Sequence, residues 1–109
     1  MTNYLFIESR DPFESLDVRF VAETATALKE RGHAVTVFLV QNGVLATRRD
    51  ARASYLAQLA ESGVTLWADD FSLAERGIQP AELHASVQPS SIEMLVDALA
   101  QENTKAIWH

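Results

Sequence analysis

Val64-Thr65-Leu66-Trp67-Ala68-Asp69-Asp70-Phe71-Ser72 is a strand-like apolar run that stops at two adjacent carboxylates, with a short helical turn, residues 72–76, closed by Gly77 just beyond. In an open α/β sheet, ligands and catalytic groups gather at the carboxyl ends of the parallel strands. Read as strand, acidic corner and helix, this stretch sets both the fold and the place where function is sought.

Upstream, Gly63 ends a segment, residues 50–61, in which Ala53, Leu56, Ala57 and Ala60 recur at helical spacing while Tyr55 and Leu59 widen the apolar face. Before it, Gln41-Asn42-Gly43 is a turn, since Asn and Gly both tolerate positive φ. Residues 33–40 (HAVTVFLV) are dense in branched and aromatic apolar side chains, as in a strand covered on both faces, and this is the expected central strand. Gly32 stops a helix over residues 15–31 whose Leu16, Phe20, Val21, Ala25 and Leu28 share a face; Lys29 and Arg31 oppose the negative end of its dipole. The chain begins on a β-favouring run, residues 3–8 (NYLFIE), broken by Ser9-Arg10-Asp11-Pro12.

Downstream, Pro80 makes residues 78–83 a connector, residues 84–88 form a brief fourth strand, and Ser90 with Glu93 reads as a capping box for a helix running to about residue 101. Residues 104–108 supply a final edge or interface strand. Strands thus alternate with helical segments, and crossovers of this length imply mostly parallel pairing with right-handed connections and helices on both faces. The expectation is an α/β fold: a single three-layer α/β/α domain over residues 1–109 with a mostly parallel five-stranded sheet, flavodoxin-like in appearance. The strand order is not legible.

Composition removes several function classes. A formal net charge of -6 argues against a nucleic-acid footprint, which needs clustered Lys and Arg. The one basic cluster, Arg48, Arg49 and Arg52, is interrupted by Asp50 and reads as a solvated helix start. The longest apolar run, residues 35–40, is far short of a membrane span, and no basic region precedes a long apolar core. A cytoplasmic protein without membrane or nucleic-acid partners is expected. The absence of cysteine excludes disulfides, thiolate metal sites and cysteine chemistry carried by this chain.

The candidate site gathers the polar residues at three strand ends: Glu8 and Arg10, Asn42 and Gly43, and Asp69, Asp70 and Ser72. Two carboxylates suit acid/base work or a hard cation such as magnesium. Successive strand residues point to opposite faces, however, which favours one aspartate capping the following helix while the other faces solvent. His33, His84 and His109 lack the i, i+4 spacing of a helical zinc site; the glycines are isolated, so no phosphate loop is present, and no G-x-S-x-G elbow occurs. No metal and no cofactor is expected. Trp67, Phe71 and Trp108 are large aromatics near strand ends or the terminus, suited to a subunit interface, with the core as the competing place for Trp67 above all.

Three segments, in order, resemble the DsrE/TusD sulfur-relay family. Gly32-His33-Ala34-Val35-Thr36-Val37-Phe38-Leu39 resembles its second strand, and Asn42-Gly43-Val44 its D-G-V turn. Val64-Thr65-Leu66-Trp67-Ala68 followed by Asp69-Asp70-Phe71-Ser72-Leu73-Ala74-Glu75-Arg76-Gly77-Ile78 resembles its strand and C-x-x-S-x-x-x-R-G segment. The resemblance implies an α/β/α fold, assembly into trimers or hexamers or a hetero-complex with related subunits, and a cysteine that carries persulfide sulfur. Here the cysteine's place falls on Asp69, and a carboxylate cannot hold a persulfide. The expected function is therefore a non-catalytic binding or structural subunit. The alternative is a small-ligand-binding protein or enzyme using a carboxylate-lined pocket at the strand ends.

Overall fold

The order of the strands across the sheet is β4-β3-β2-β1-β5, and every pairing between them is parallel. The computed structural model describes residues 2–15, 17–48 and 55–109. Along the chain run β1 (Asn3–Glu8), α1 (Val18–Glu30), β2 (Ala34–Leu39), a 3-10 segment (Gln41–Thr47), α2 (Tyr55–Glu61), β3 (Thr65–Asp69) and α3 (Asp70–Glu75). A second 3-10 turn (Pro80–Glu82), β4 (Val87–Ser90), α4 (Ile92–Ala100) and β5 (Thr104–Trp108) complete it. The sheet is wholly parallel, where the sequence led us to expect a mostly parallel one.

Strand order explains how the helices divide. From β1 to β4 the chain steps in one direction, so right-handed crossovers put α1, α2 and α3 on one face; the return from β4 to β5 sends α4 across the other. The first face is packed by Phe6, Val37, Leu39 and Leu66 of the sheet against Val21 and Ala25 of α1, Leu56 and Leu59 of α2, and Leu73 of α3. On the second, Leu95 of α4 closes over Leu5, Ile7, Phe38 and Val40, with Trp67 packed alongside and its ring edge-on to Phe38. Trp67 is thus a core neighbour, whereas Phe71 and Trp108 stay exposed.

Several local expectations shift. Helix α1 begins at Val18, because the chain after β1 first makes a turn in which the Asp11 carbonyl accepts the amides of Glu14 and Ser15, and the Asp11 carboxylate that of Phe13. The fourth strand lies at Val87–Ser90 rather than residues 84–88, pairing Leu66 through Asp69, and it holds Pro89, which a sheet edge tolerates. Ser90 is consequently strand; Ser91 takes the N-cap place of α4 without a side-chain cap bond, so the Ser90–Glu93 capping box does not form. The positive φ after β2 belongs to Gln41, at 50°, and not to Asn42 or Gly43. Gly43 serves another purpose: a Cβ there would overlap the Glu8 carbonyl oxygen, so its missing side chain lets the 3-10 segment lie against the end of β1. Leu16, the start of the expected second helix (residues 50–54), and Arg49, Asp50 and Arg52 of the basic cluster lie outside the described residues.

Candidate functional site at the carboxyl edge of the sheet

Strand β3 passes into α3 with no intervening loop, and Asp69 is the hinge. Its backbone is extended (φ -62°, ψ 121°), while its Oδ2 accepts the Ser72 amide at 3.0 Å and the Ser72 hydroxyl at 2.7 Å. A carboxylate three residues before the amide it receives is the geometry of a side-chain N-cap, and it faces the positive end of the helix dipole. The Ser72 hydroxyl, having spent its proton on Asp69, accepts the Gln41 amide at 2.9 Å and so ties the exit of β2 to that of β3. One turn later, Arg76 reaches back: Nε and Nη2 donate to Asn42 Oδ1 at 3.2 and 3.0 Å, and Nη1 donates to the Ser72 carbonyl at 3.2 Å. The 69, 72, 76 spacing is thus i, i+3 and i+7, successive steps of three and four residues along one side of a helix, bringing an acid, a hydroxyl and a guanidinium to one corner. Asp69 and Ser72 are buried there, whereas Asp70 and Phe71 face outward.

Chemically this corner is a lock. Each polar atom of Ser72 has a partner, which leaves no free hydroxyl proton for a general base to take. Beside it, Ser90 of β4 stands in register with Asp69 and is buried. Because β3 exits to the face of α3 and β4 to the face of α4, a topological switch point falls between Asp69 and Ser90, the place where open α/β sheets receive ligands.

A second cluster occupies the other end of the edge. Glu8 is fully buried, with 0% exposure. Its carboxylate accepts the Arg10 amide at 2.9 Å and faces His109 Nδ1 at 2.9 and 3.1 Å. The main chain of His109 is held as firmly, with Ser9 donating its amide and hydroxyl to the His109 carbonyl and the His109 amide donating to Ile7. The Arg10 guanidinium turns away to Asp17 at 3.2 Å in an exposed pair. Close by, the Tyr55 hydroxyl is buried without a hydrogen-bond partner among the described residues; burial first, and the charge of Glu8 second, push its pKa far above the usual phenol range.

The seven candidate residues therefore separate. Asp69, Ser72 and, through Arg76, Asn42 share one corner; Glu8 belongs to another, with Gly43 against its backbone; Asp70 and Arg10 project to solvent. Strand β2 stands between the two corners. Sequence reasoning passed over the Arg76 clamp, although Arg76-Gly77 stands in the segment that carries the resemblance. It also missed His109, 101 residues from Glu8, and took Tyr55 only as an apolar helix position; no local pattern announces either. Among the described residues no helix is long and apolar enough to cross a membrane.

No curated protein matches the chain in sequence. Among solved structures, a protein of unknown function, MTH1491 from Methanobacterium thermoautotrophicum, superposes with a TM-score of 0.83 at 20% identity, covering 100% of both chains. The ychN protein from E. coli superposes with a TM-score of 0.85 at 19% identity, over 98% of this chain and 100% of the other. At such identity these likenesses speak for the fold alone. The model of the DsrE/DsrF-like family matches residues 2–106, nearly the whole sequence, and with the parallel sheet and the Asp69-to-Gly77 corner in place, the chain belongs to the DsrE/DsrF-like family.

Proposed function

We propose that this chain is a one-domain subunit related to cytoplasmic sulfur-relay proteins that carries no sulfur itself and acts by binding, in a homo-oligomer or beside a related subunit. The observation that carries this reading is the state of Asp69. At the place where the family resemblance puts a sulfur-bearing cysteine, a buried carboxylate holds the helix cap and the Ser72 hydroxyl, and the chain contains no thiol to replace it. The corner keeps its architecture while the chemistry of a thiolate is absent.

Assembly has support from α4. Ile92, Val96 and Leu99 are 55%, 57% and 44% exposed, and their spacing of four and three residues sets them along one side of the helix. Light scattering on the eluting protein at micromolar concentration tests the reading: a trimer or hexamer is expected, and Val96→Glu is expected to shift it toward monomer with the circular dichroism spectrum unchanged. A wild-type protein that is a clean monomer, and that also captures no related subunit in a pull-down from its native source, overturns it. A second reading, a small ligand in a carboxylate-lined pocket, draws on the switch point between Asp69 and Ser90. A ligand bound there in the purified protein would favour it.

A further inference from the structure

Glu8 and His109 form a pair that the assembly reading does not use. A carboxylate is acceptor-only, so the ring nitrogen that meets both of its oxygens, Nδ1, is the one that bears hydrogen. In the neutral ring this leaves the lone pair on Nε2, and the carboxylate behind Nδ1–H fixes that tautomer and the orientation of the ring. Nε2 bonds to no described residue. It is also not among the buried polar atoms that lack a partner, which among the described residues are the Tyr55 hydroxyl and Thr104 Oγ1, so Nε2 reaches solvent. The half-exposed ring of Phe20 stands 6.0 Å from the imidazole, tilted by 39°, and supplies an apolar wall on one side. A buried acid, an oriented imidazole and an open lone pair beside an aromatic ring together constitute an activated nucleophile.

We propose that His109 is a reactive imidazole, with Glu8 as its positioning residue, that takes small acyl electrophiles at Nε2. In the step, the Nε2 lone pair adds to the carbonyl carbon and the bond from that carbon to the leaving oxygen breaks. The Nδ1 proton passes to Glu8 and from there, through solvent, to the leaving oxygen; the products are an N-acyl imidazole and the protonated leaving group, with Glu8 returned to its carboxylate. No oxidant, metal or further co-reactant enters. If the pair were only a clasp for the end of β5, Nε2 would have ordinary reactivity.

The protein provides its own controls. His33 packs edge-on against Tyr4, with centroids 5.1 Å apart, and His84 Nδ1 engages the Ser86 hydroxyl; among the described residues neither has a carboxylate partner. The folded protein is treated briefly with diethylpyrocarbonate, and acylation is measured at each histidine by peptide mass spectrometry. His109 is expected to react about tenfold or more faster than His33 and His84, within the range a positioned group contributes. In Glu8→Gln its rate is expected to drop to theirs, while theirs hold. Equal rates at the three histidines, or a preference that persists in folded Glu8→Gln, overturns the proposal. Nitrogen NMR of the wild-type imidazole, which does not depend on that variant folding, must show hydrogen on Nδ1 and a bare Nε2 in the neutral ring; the opposite tautomer overturns it equally.

Discussion

Replacing Gly43 by alanine brings a Cβ onto the Glu8 carbonyl oxygen, 3.1 Å from the Glu8 carbonyl carbon and 3.5 Å from the Ser9 Cα. All three contacts are backbone, so no flexible side chain can swing aside, and the 3-10 segment must lift from the end of β1. Overpacking of this kind costs about 1–3 kcal/mol. The lift also strains the bond from the Val40 amide to the Glu8 carbonyl, 3.0 Å long, for about 1 kcal/mol more. Alanine returns about 0.4–1 kcal/mol by restricting the unfolded chain. A net loss of about 1–3.6 kcal/mol, set against an unfolding entropy of about 230 cal/mol/K for 109 residues, lowers the melting temperature by about 4 to 16 °C. Thermal unfolding followed by circular dichroism measures it. A fall of less than about 4 °C, which corresponds to about 1 kcal/mol, would mean that the close approach is easily relieved and that Gly43 is not required there.

Two further perturbations probe the two corners. Asp69→Ala removes the cap of α3 and the acceptor of the Ser72 hydroxyl, an expected loss of about 2–3 kcal/mol in urea unfolding, whereas Asp69→Asn keeps a capping oxygen and should lose about 1 kcal/mol; equal losses would refute the capping account. At Tyr55, a folded-state pKa raised by burial and then by Glu8 means that the unfolded chain releases the phenol proton near its ordinary value of about 10 while the folded chain keeps it. The stability tied to this group is therefore complete below about pH 10 and falls as pH rises beyond it. Tyr55→Phe should flatten that alkaline decline and, by removing a buried hydroxyl that finds no partner among the described residues, match or exceed the wild type by about 1 kcal/mol at neutral pH. Identical alkaline slopes in the two proteins would contradict the burial of the hydroxyl.

Legibility followed the range of the interactions. The strands around Val35–Val40 and Val64–Ala68 stood out because β-branched and aromatic density reports burial on both faces, a property of each segment alone. The Asp69 corner was nearly as clear, since a cap and the amide it serves lie three residues apart. Ser90 was misread because its partners are the residues of β3 opposite it, and pairing register outweighs the local pattern of a capping box. The Gln41 φ escaped for a related reason: Asn42-Gly43 looks like the turn, but Gly43 is held by its approach to Glu8, a contact across strands. Glu8 was singled out as a polar residue at the end of β1, yet its partner was invisible, because only the insertion of β5 beside β1 brings His109 to it.

That insertion orders events in time. Of the five strands β1 is made before the others, and one flank of it stays unpaired until β5 arrives from the far side of the sheet. β1 through β4 add neighbour by neighbour, each closing a short loop, but the pairing of Asn3 with Thr104 spans nearly the whole chain and carries the largest closure entropy in the sheet. Until then the nascent protein presents an open edge and an uncovered row of Leu5 and Ile7, the kind of surface that invites wrong pairing between chains. In the folded protein β5 covers that edge, and the bonds of Ser9 and Glu8 to His109 hold it there.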